Sequence, residues 1–177
     1  MIQVHDQRIL AHHRERSAVV YVRQSSPDQV RNNVESRRVQ LGLRERAVAL
    51  GWANPIAIED DLAITASGFA DRPGFQRMLA DVTMRRVGLI LSFDVSRLSR
   101  NSKDWAQLFE LCGFFDTLVA DLDQIYDLSL PNDRLVLGIK GTVAELELSI
   151  LKNRMRAGSE AKAARGELRF LVPSGYT

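Results

Sequence analysis

Short apolar runs alternate with segments of helical spacing along the first part of the chain. Ala18–Val22 is β-branched or aromatic at most positions, which is typical of a strand covered on both faces. Three further runs of strand length follow it: Ile56–Ile58, Val87–Phe93 and Thr117–Ala120. This alternation predicts an α/β domain, with a mostly parallel sheet of about four or five strands flanked by helices.

The segments between these runs carry helix signals. Apolar residues three or four positions apart lead up to Gly51, which suits a helix that ends in a glycine cap. Pro73 stands where a second helix begins, and Asn101 or Ser102 is placed to cap a third. The order of strand, helix and strand supports the parallel sheet.

The last part of the chain has a different pattern. No proline intervenes between Asn132 and Gly166, and Asn132 can cap a helix of about thirty residues. Apolar residues recur along it at alternating spacings of three and four: Val136, Ile139, Val143, Leu146 and Ile150. Such a seam either packs on the chain's own domain or meets a second subunit. We favour the second subunit, because the apolar surface is wider than one sheet needs.

These patterns divide the chain into four parts. Residues 1–16 are expected to form a polar leader, and residues 17–131 the α/β domain. Residues 132–166 are expected to form the long helix. The helical pattern is lost in residues 167–177, and we expect more protein to follow them.

Composition and charge exclude few classes of function. The 177 residues are 45% hydrophobic, which is enough for a core, and the net charge of +2 is too small to indicate a polyanionic partner. From Ile150 to Arg169, however, Lys and Arg clearly outnumber Glu, which is either a footprint for nucleic acid or an ordinary solvated helix face. No apolar stretch has membrane-spanning length, and the first residues are too polar for a signal peptide, so we expect a cytoplasmic protein.

Cysteine and histidine give no sign of a metal site. The single cysteine, Cys112, lies in an apolar segment and is expected in the core. His12 and His13 fall in the polar leader, and we interpret them as leader sequence or exposed surface. With one cysteine there is no recognisable zinc set, so the sequence predicts neither a metal nor a cofactor.

Arginines follow three of the predicted strands. The first strand is followed by Arg23 and Ser25, the second by Arg72, and the third by Arg97 and Arg100. The carboxyl ends of parallel strands meet at one edge of a sheet, so these side chains are expected to converge there. Several guanidiniums around one serine would repel each other without an anion between them, and the arginine fork matches phosphate oxygens. The recurrence favours phosphoryl chemistry, although a single arginine is more often a surface residue.

Four motifs together resemble the catalytic domain of the serine site-specific recombinases, the resolvase and invertase group, and especially its large recombinases and transposases. The motifs are YVRQSSPDQ, SGFADRPGFQRML, SRLSRN and AELELSILKNRMRAG. The resemblance covers about Ser17 to Tyr176. It implies an enzyme that cleaves and rejoins double-stranded DNA through a covalent 5′-phosphoserine, without metal, ATP or another cofactor. It also implies a homodimer through the long helix, a tetramer in the active complex, and a DNA-binding region after the helix.

The resemblance implies a role for each candidate residue. Ser25 corresponds to the nucleophile. Four arginines correspond to the residues that bind the phosphate and stabilise the transition state: Arg23, Arg72, Arg97 and Arg100. Further phosphate contacts are expected from Gln29, Arg154 and Tyr21, and supporting carboxylates from Asp61, Asp94 and Glu147.

Two other classes of protein are alternatives to the enzyme. In the motif SRLSRN, Ser96 stands where the family has an aspartate. Asp94, two residues earlier, is an alternative source of that carboxylate. A non-catalytic DNA-binding or regulatory relative would agree with this change. An oligomerisation module, in which the arginines merely bind sulfate or phosphate, is the other class.

Overall fold

A sheet of five strands lies at the centre of the described chain. The computed structural model describes residues 6–22, 34–59, 61, 72–95, 98 and 102–167. Its strands are β1 (Ser17–Tyr21), β2 (Ile56–Ile58), β3 (Val87–Leu91), β4 (Leu118–Ala120) and β5 (Ile125–Tyr126), in the spatial order β2-β1-β3-β4-β5. The first four are parallel, and β5 is antiparallel to β4. The predicted mostly parallel sheet is confirmed.

Both faces of the sheet are buried along β3, β4 and β5 and from Ala18 to Tyr21 of β1, as the unbroken apolar runs predict, whereas Ile56 in the edge strand β2 is 52% exposed. Alternate residues of β1 enter different cores: Val19 and Tyr21 pack on one face, and Ala18 and Val20 on the other. Cys112 belongs to the first core and is 1% exposed, which confirms its predicted place. Burial alone raises the pKa of its thiol to about 12, so the group stays protonated and unreactive at neutral pH.

Five helices accompany the strands in the described part of the chain. They are α1 (Ala11–Arg14), α2 (Val34–Ala49), α3 (Pro73–Thr83), α4 (Ser102–Phe115) and α5 (Pro131–Ala164). Gly51, with φ of 108°, ends α2, and the amides of Gly51 and Trp52 donate to the carbonyls of Val48 and Ala47. This double closure is the glycine cap that the sequence predicts, because residues with a Cβ rarely adopt such a φ.

The segment predicted as a polar leader is folded against the sheet over residues 6–16. His13 is 1% exposed, so its interpretation as leader or surface sequence is wrong. The reason lies in β3, where Gly88 has no side chain and the carbonyl of His13 occupies the space that a Cβ would need. Arg16 adds a second attachment, because its guanidinium donates to the carbonyls of Phe115 (2.9 Å) and Asp116 (3.0 Å) at the end of α4.

The chain divides into two compact units, one through Gly141 and one from Thr142 onward. The first three turns of α5 belong to the first unit. There, Leu137 is fully buried and Lys140 donates to Asp121 (3.0 Å) and to the hydroxyl of Tyr126. Among the described residues, no helix combines the length and the apolar character that a membrane crossing requires.

Gly88→Ala is expected to destabilise the fold strongly. The added Cβ would lie 2.0 Å from the carbonyl oxygen of His13, a backbone atom that cannot rotate away, so we expect a loss of about 3 kcal/mol in the free energy of unfolding. Urea denaturation measures this loss.

Gly42→Ala is the matched control, since it adds the same methyl group within α2, where a Cβ meets nothing within 4 Å. It should be neutral or stabilise the protein by up to about 1 kcal/mol, because alanine favours a helix. Equal stability of the two variants would show that residues 6–16 do not pack on β3.

Candidate active site

The carboxyl edge of the parallel strands is where the sequence places the candidate site. Five of its predicted members lie outside the described residues: Arg23, Ser25, Gln29, Arg97 and Arg100. Their convergence on one phosphate therefore stays a prediction. The edge is represented in the structure by Tyr21 at the end of β1, Asp61 after β2, Arg72 at the start of α3, and Asp94 after β3.

Asp61 is the cap of α3, although it lies far from that helix in sequence. Arg72 occupies the N-cap position, and its side chain makes no capping hydrogen bond. Both carboxylate oxygens of Asp61 take over this role, accepting the amides of Gly74 (3.1 Å) and Phe75 (2.9 Å). A fully buried carboxylate is well placed there, because the first turn of a helix exposes unpaired N–H groups and a partial positive charge.

Tyr21 links this cap to Arg72. Its hydroxyl donates to Asp61 (2.5 Å) and accepts a hydrogen bond from Nη2 of Arg72 (2.7 Å). Burial, and next the hydrogen bond to Asp61, raise the pKa of Tyr21 well above its usual value, so the hydroxyl stays protonated. Tyr21 is only 1% exposed, and a direct contact with a DNA phosphate would have to displace Asp61 or Arg72.

Arg72 is the centre of the described part of the edge. The residue is 6% exposed, and its guanidinium lies 4.0 Å from the centre of the Phe75 ring. Nη2 also donates to the carbonyl of Leu98 (2.7 Å), and Nη1 donates to Oδ2 of Asp104 (2.7 Å) in the first turn of α4. The guanidinium thus connects the ends of two strands with two helices.

Asp104 is a residue of this site that the sequence reasoning missed. It lies 32 positions from Arg72, and its place in the first turn of a helix is explained by the helix dipole alone. The only sequence signal for Asp104 was its position four residues after Arg100, in the helix that follows the motif SRLSRN.

The other predicted carboxylates and the last arginine have different surroundings. Asp94 is half-buried after β3, and the hydroxyl of Ser92 donates to its carbonyl oxygen (3.0 Å). Glu147 and Arg154 are exposed on the part of α5 that belongs to the second unit. Their roles as a supporting carboxylate and a phosphate contact stay predictions.

A second polar cluster lies at the carboxyl end of β4. Asp121 is 4% exposed and accepts hydrogen bonds from the amides of Asp123 and Gln124, from the Tyr126 hydroxyl and from Lys140. Burial alone would raise the pKa of Asp121, but these hydrogen bonds outweigh it and hold the pKa below its ordinary value. The cluster attaches α5 to the sheet, and it carries no group poised to transfer a proton at neutral pH.

His12, His13 and Asp116 form the one group of candidate metal ligands among the described residues. Their hydrogen bonds do not suit a metal. The amide of Leu10 donates to Nδ1 of His13 (3.0 Å), so the ring hydrogen lies on Nε2, which donates to Asp116 (3.0 Å). A metal at Nε2 would need the lone pair that this hydrogen replaces. The group instead fastens α1 to the end of α4, where Asp116 adopts a left-handed φ of 52°.

Taken together, the sheet order and the strand-end residues define an α/β protein with a polar site built from separate segments along the carboxyl edge. Comparison with known proteins identifies the class further. The family model for the resolvase N-terminal domain matches residues 18–168. The chain belongs to this family.

The chain is also similar to individual proteins and solved structures. The chain is 46% identical over 172 residues to "Uncharacterized protein y4bA/y4pH" of Sinorhizobium fredii, a match that covers 95% of the chain and 24% of the relative. The chain thus spans about a quarter of that relative's length. A resolvase family site-specific recombinase from Streptococcus pneumoniae shares the fold, with a TM-score of 0.51 and 22% identity over 84% of this chain and 99% of that one. The N-terminal catalytic domain of TP901-1 integrase matches at a TM-score of 0.48 and 22% identity, over 76% of this chain and 98% of that one.

Tyr21→Phe is expected to lower the free energy of unfolding by about 1–3 kcal/mol, because Asp61 and Arg72 each lose a partner inside the protein. Urea denaturation measures the change. Thr83→Val removes an exposed hydroxyl from the end of α3 and should change stability by less than about 0.5 kcal/mol. Similar small effects in both variants would contradict the network.

Proposed function

We propose that this chain is the catalytic domain of a site-specific DNA recombinase that cuts and rejoins double-stranded DNA through a 5′-phosphoserine at Ser25. Membership of the resolvase family over residues 18–168 is the observation that carries the proposal. The spacing of Tyr21, Arg23 and Ser25 supports the choice of Ser25 over its neighbour Ser26. The structure described above supports it indirectly, since Tyr21 lies at the carboxyl edge of the sheet.

In the proposed reaction the Ser25 oxygen attacks the phosphorus of a DNA phosphodiester. The new bond joins that oxygen to phosphorus, and the bond from phosphorus to the 3′ oxygen breaks. The serine loses its proton, and the departing 3′ oxygen gains one to become a hydroxyl. Reversal, with a 3′ hydroxyl from another strand end as the nucleophile, rejoins the DNA. The phosphoserine conserves the energy of the bond, so the scheme needs no nucleotide cofactor.

Arg23, Arg97 and Arg100 are proposed to hold the phosphate and to stabilise the charge that develops on its oxygens. Gln29 is proposed as an accompanying polar contact. One well-placed donor is worth about 3 kcal/mol in a transition state, so the loss of either Arg97 or Arg100 should slow cleavage by about 100-fold. The guanidiniums would also favour the deprotonated forms of the serine and of the leaving oxygen.

Ser25→Ala should abolish the covalent adduct between the protein and DNA while leaving DNA affinity almost unchanged, because a small hydroxyl contributes little to binding. The experiment uses the full-length protein and a nicked substrate carrying its recombination site, which traps the cleaved strand. Denaturing gel electrophoresis detects the adduct.

Ser26→Ala is the matched control, because it removes the same group one residue away and should form the adduct at nearly the wild-type rate. An adduct that survives Ser25→Ala would refute the assignment of the nucleophile. A wild-type protein that binds its site but never forms an adduct would favour the non-catalytic relative.

We further propose that two copies of the chain associate through α5, as a step towards a tetramer on DNA. The seam residues all lie exposed in the single chain: Val136, Ile139, Val143, Leu146 and Ile150. Their spacing of three and four positions matches a helix that packs on another helix. Leu151 and Met155 widen the exposed apolar surface. A second copy carries the same seam, and so offers a complementary partner.

Val143→Glu and Leu146→Glu should shift the protein from dimer to monomer in sedimentation velocity, because each places a charge within the proposed apolar interface. Lys152→Glu alters the charge of the same helix about two and a half turns after Val143, on the opposite side, and should leave the dimer intact. A wild type that stays monomeric at high concentration would contradict the proposal.

A further inference from the structure

The geometry around Arg72 differs from that of a phosphate-binding arginine. A guanidinium has five N–H donors, and three of its hydrogen bonds here go to Asp104, Tyr21 and the Leu98 carbonyl. The Nε atom is buried, lies 3.8 Å from Oδ2 of Asp61, and has no hydrogen-bond acceptor among the described residues. Only one N–H of Nη1 and the buried N–H of Nε remain, and these two N–H groups do not point in the same direction. Arg72 therefore lacks a free pair of parallel donors for two phosphate oxygens.

The two carboxylates near Arg72 do different work. Asp61 accepts hydrogen bonds from two amides of α3 and from the Tyr21 hydroxyl. Its negative charge therefore mainly stabilises the N-terminus of α3. Asp104 makes the direct contact, at 2.7 Å from Nη1, and its side chain is 18% exposed. A buried cation is costly without a close partner of opposite charge, and Asp104 is the residue that supplies it.

The groups that Arg72 holds are neighbours of the proposed reacting residues. Leu98 lies between Arg97 and Arg100 in sequence, and Tyr21 lies two positions before Arg23. The hydrogen bond from the buried guanidinium holds the Leu98 carbonyl in place. The same guanidinium connects Leu98 to Tyr21 at the end of β1, and Ser25 follows Tyr21 by four positions in the sequence.

We propose that Asp104 is a positioning residue of the strand-cleavage site, which acts by holding Arg72 as an internal brace between Tyr21 and Leu98. This inference rests on the proposed function for its effect on the reaction. It gives Arg72 a different task from the phosphate contact that the family resemblance implies, since Arg72 acts on the protein backbone and on Tyr21 rather than on the DNA.

Asp104→Asn keeps the shape of the side chain and removes its charge. It should slow formation of the Ser25 adduct by about tenfold or more, because small misplacements of catalytic groups are costly, and it should change DNA affinity by less than about twofold. Asp104→Glu, which restores the charge, should recover much of the rate. Glu110→Gln removes the same charge from an exposed position of the same helix and should react like the wild type.

Hydrogen exchange makes the inference testable apart from the reaction. Amides in the peptide that contains Leu98 should exchange faster in Asp104→Asn than in the wild type and in Glu110→Gln. If the wild type forms no adduct, the proposed function fails, while faster exchange still supports the brace. Unchanged exchange, or an adduct rate in Asp104→Asn equal to or above that of the wild type, would overturn it. A faster reaction would mean that Asp104 competes with DNA for Arg72.

A double variant decides the case in which Asp104→Asn does not fold. Arg72→Gln combined with Asp104→Asn removes both charges of the closest ion pair, and uncharged replacements of such a pair are often tolerated. The carboxylate of Asp61 keeps its hydrogen bonds from two amides of α3 and from Tyr21 in this variant. The brace requires this variant to bind DNA normally and still form the adduct slowly. Recovery of the wild-type rate together with the fold would show that the ion pair serves stability only.

Discussion

One buried positive charge organises the described edge of the sheet. Arg72 lies almost entirely out of water, and removing a guanidinium from water costs several kcal/mol unless close partners compensate. Those partners come from the end of β1, from the residue after β2, from the segment after β3 and from α4. Because the guanidinium lies close to all of these groups, it connects parts of the chain that are distant in sequence. The proposed phosphate-binding residues follow or flank those parts.

The predictable part of the fold was the part with local causes. A β-branched run predicted β1, and Gly51 predicted the end of α2, where the structure has a φ of 108°. The spacing of apolar residues predicted α5, which the structure places at Pro131–Ala164. β5 was not predicted, because its two residues, Ile125 and Tyr126, are too few to show a periodic pattern.

For the described residues of the candidate edge, the sequence predicted positions better than contacts. Arg72 and Asp61 do lie together at the carboxyl edge, as strand-end chemistry suggests. The Asp104 contact and the burial of Tyr21 depend on tertiary packing, for which a single sequence offers no spacing rule. His13 was misplaced for the same reason, because its burial depends on a glycine in another element, Gly88. Polar residues at the start of a chain indicate a loose leader only when nothing in the fold is shaped to receive them.

The guanidinium of Arg8 has a consequence for the border of the sheet. β5 is the last strand in the spatial order, and an outermost strand normally offers free carbonyls to any foreign strand. Here Arg8 donates to the carbonyl of Ile125 and is itself anchored by Asp6 and Asp133. A charged side chain thus covers the rim where a neighbouring molecule would add its own strand. Because charged side chains on an outer strand disfavour the addition of a foreign strand, we expect the segment before β1 to reduce aggregation through that rim.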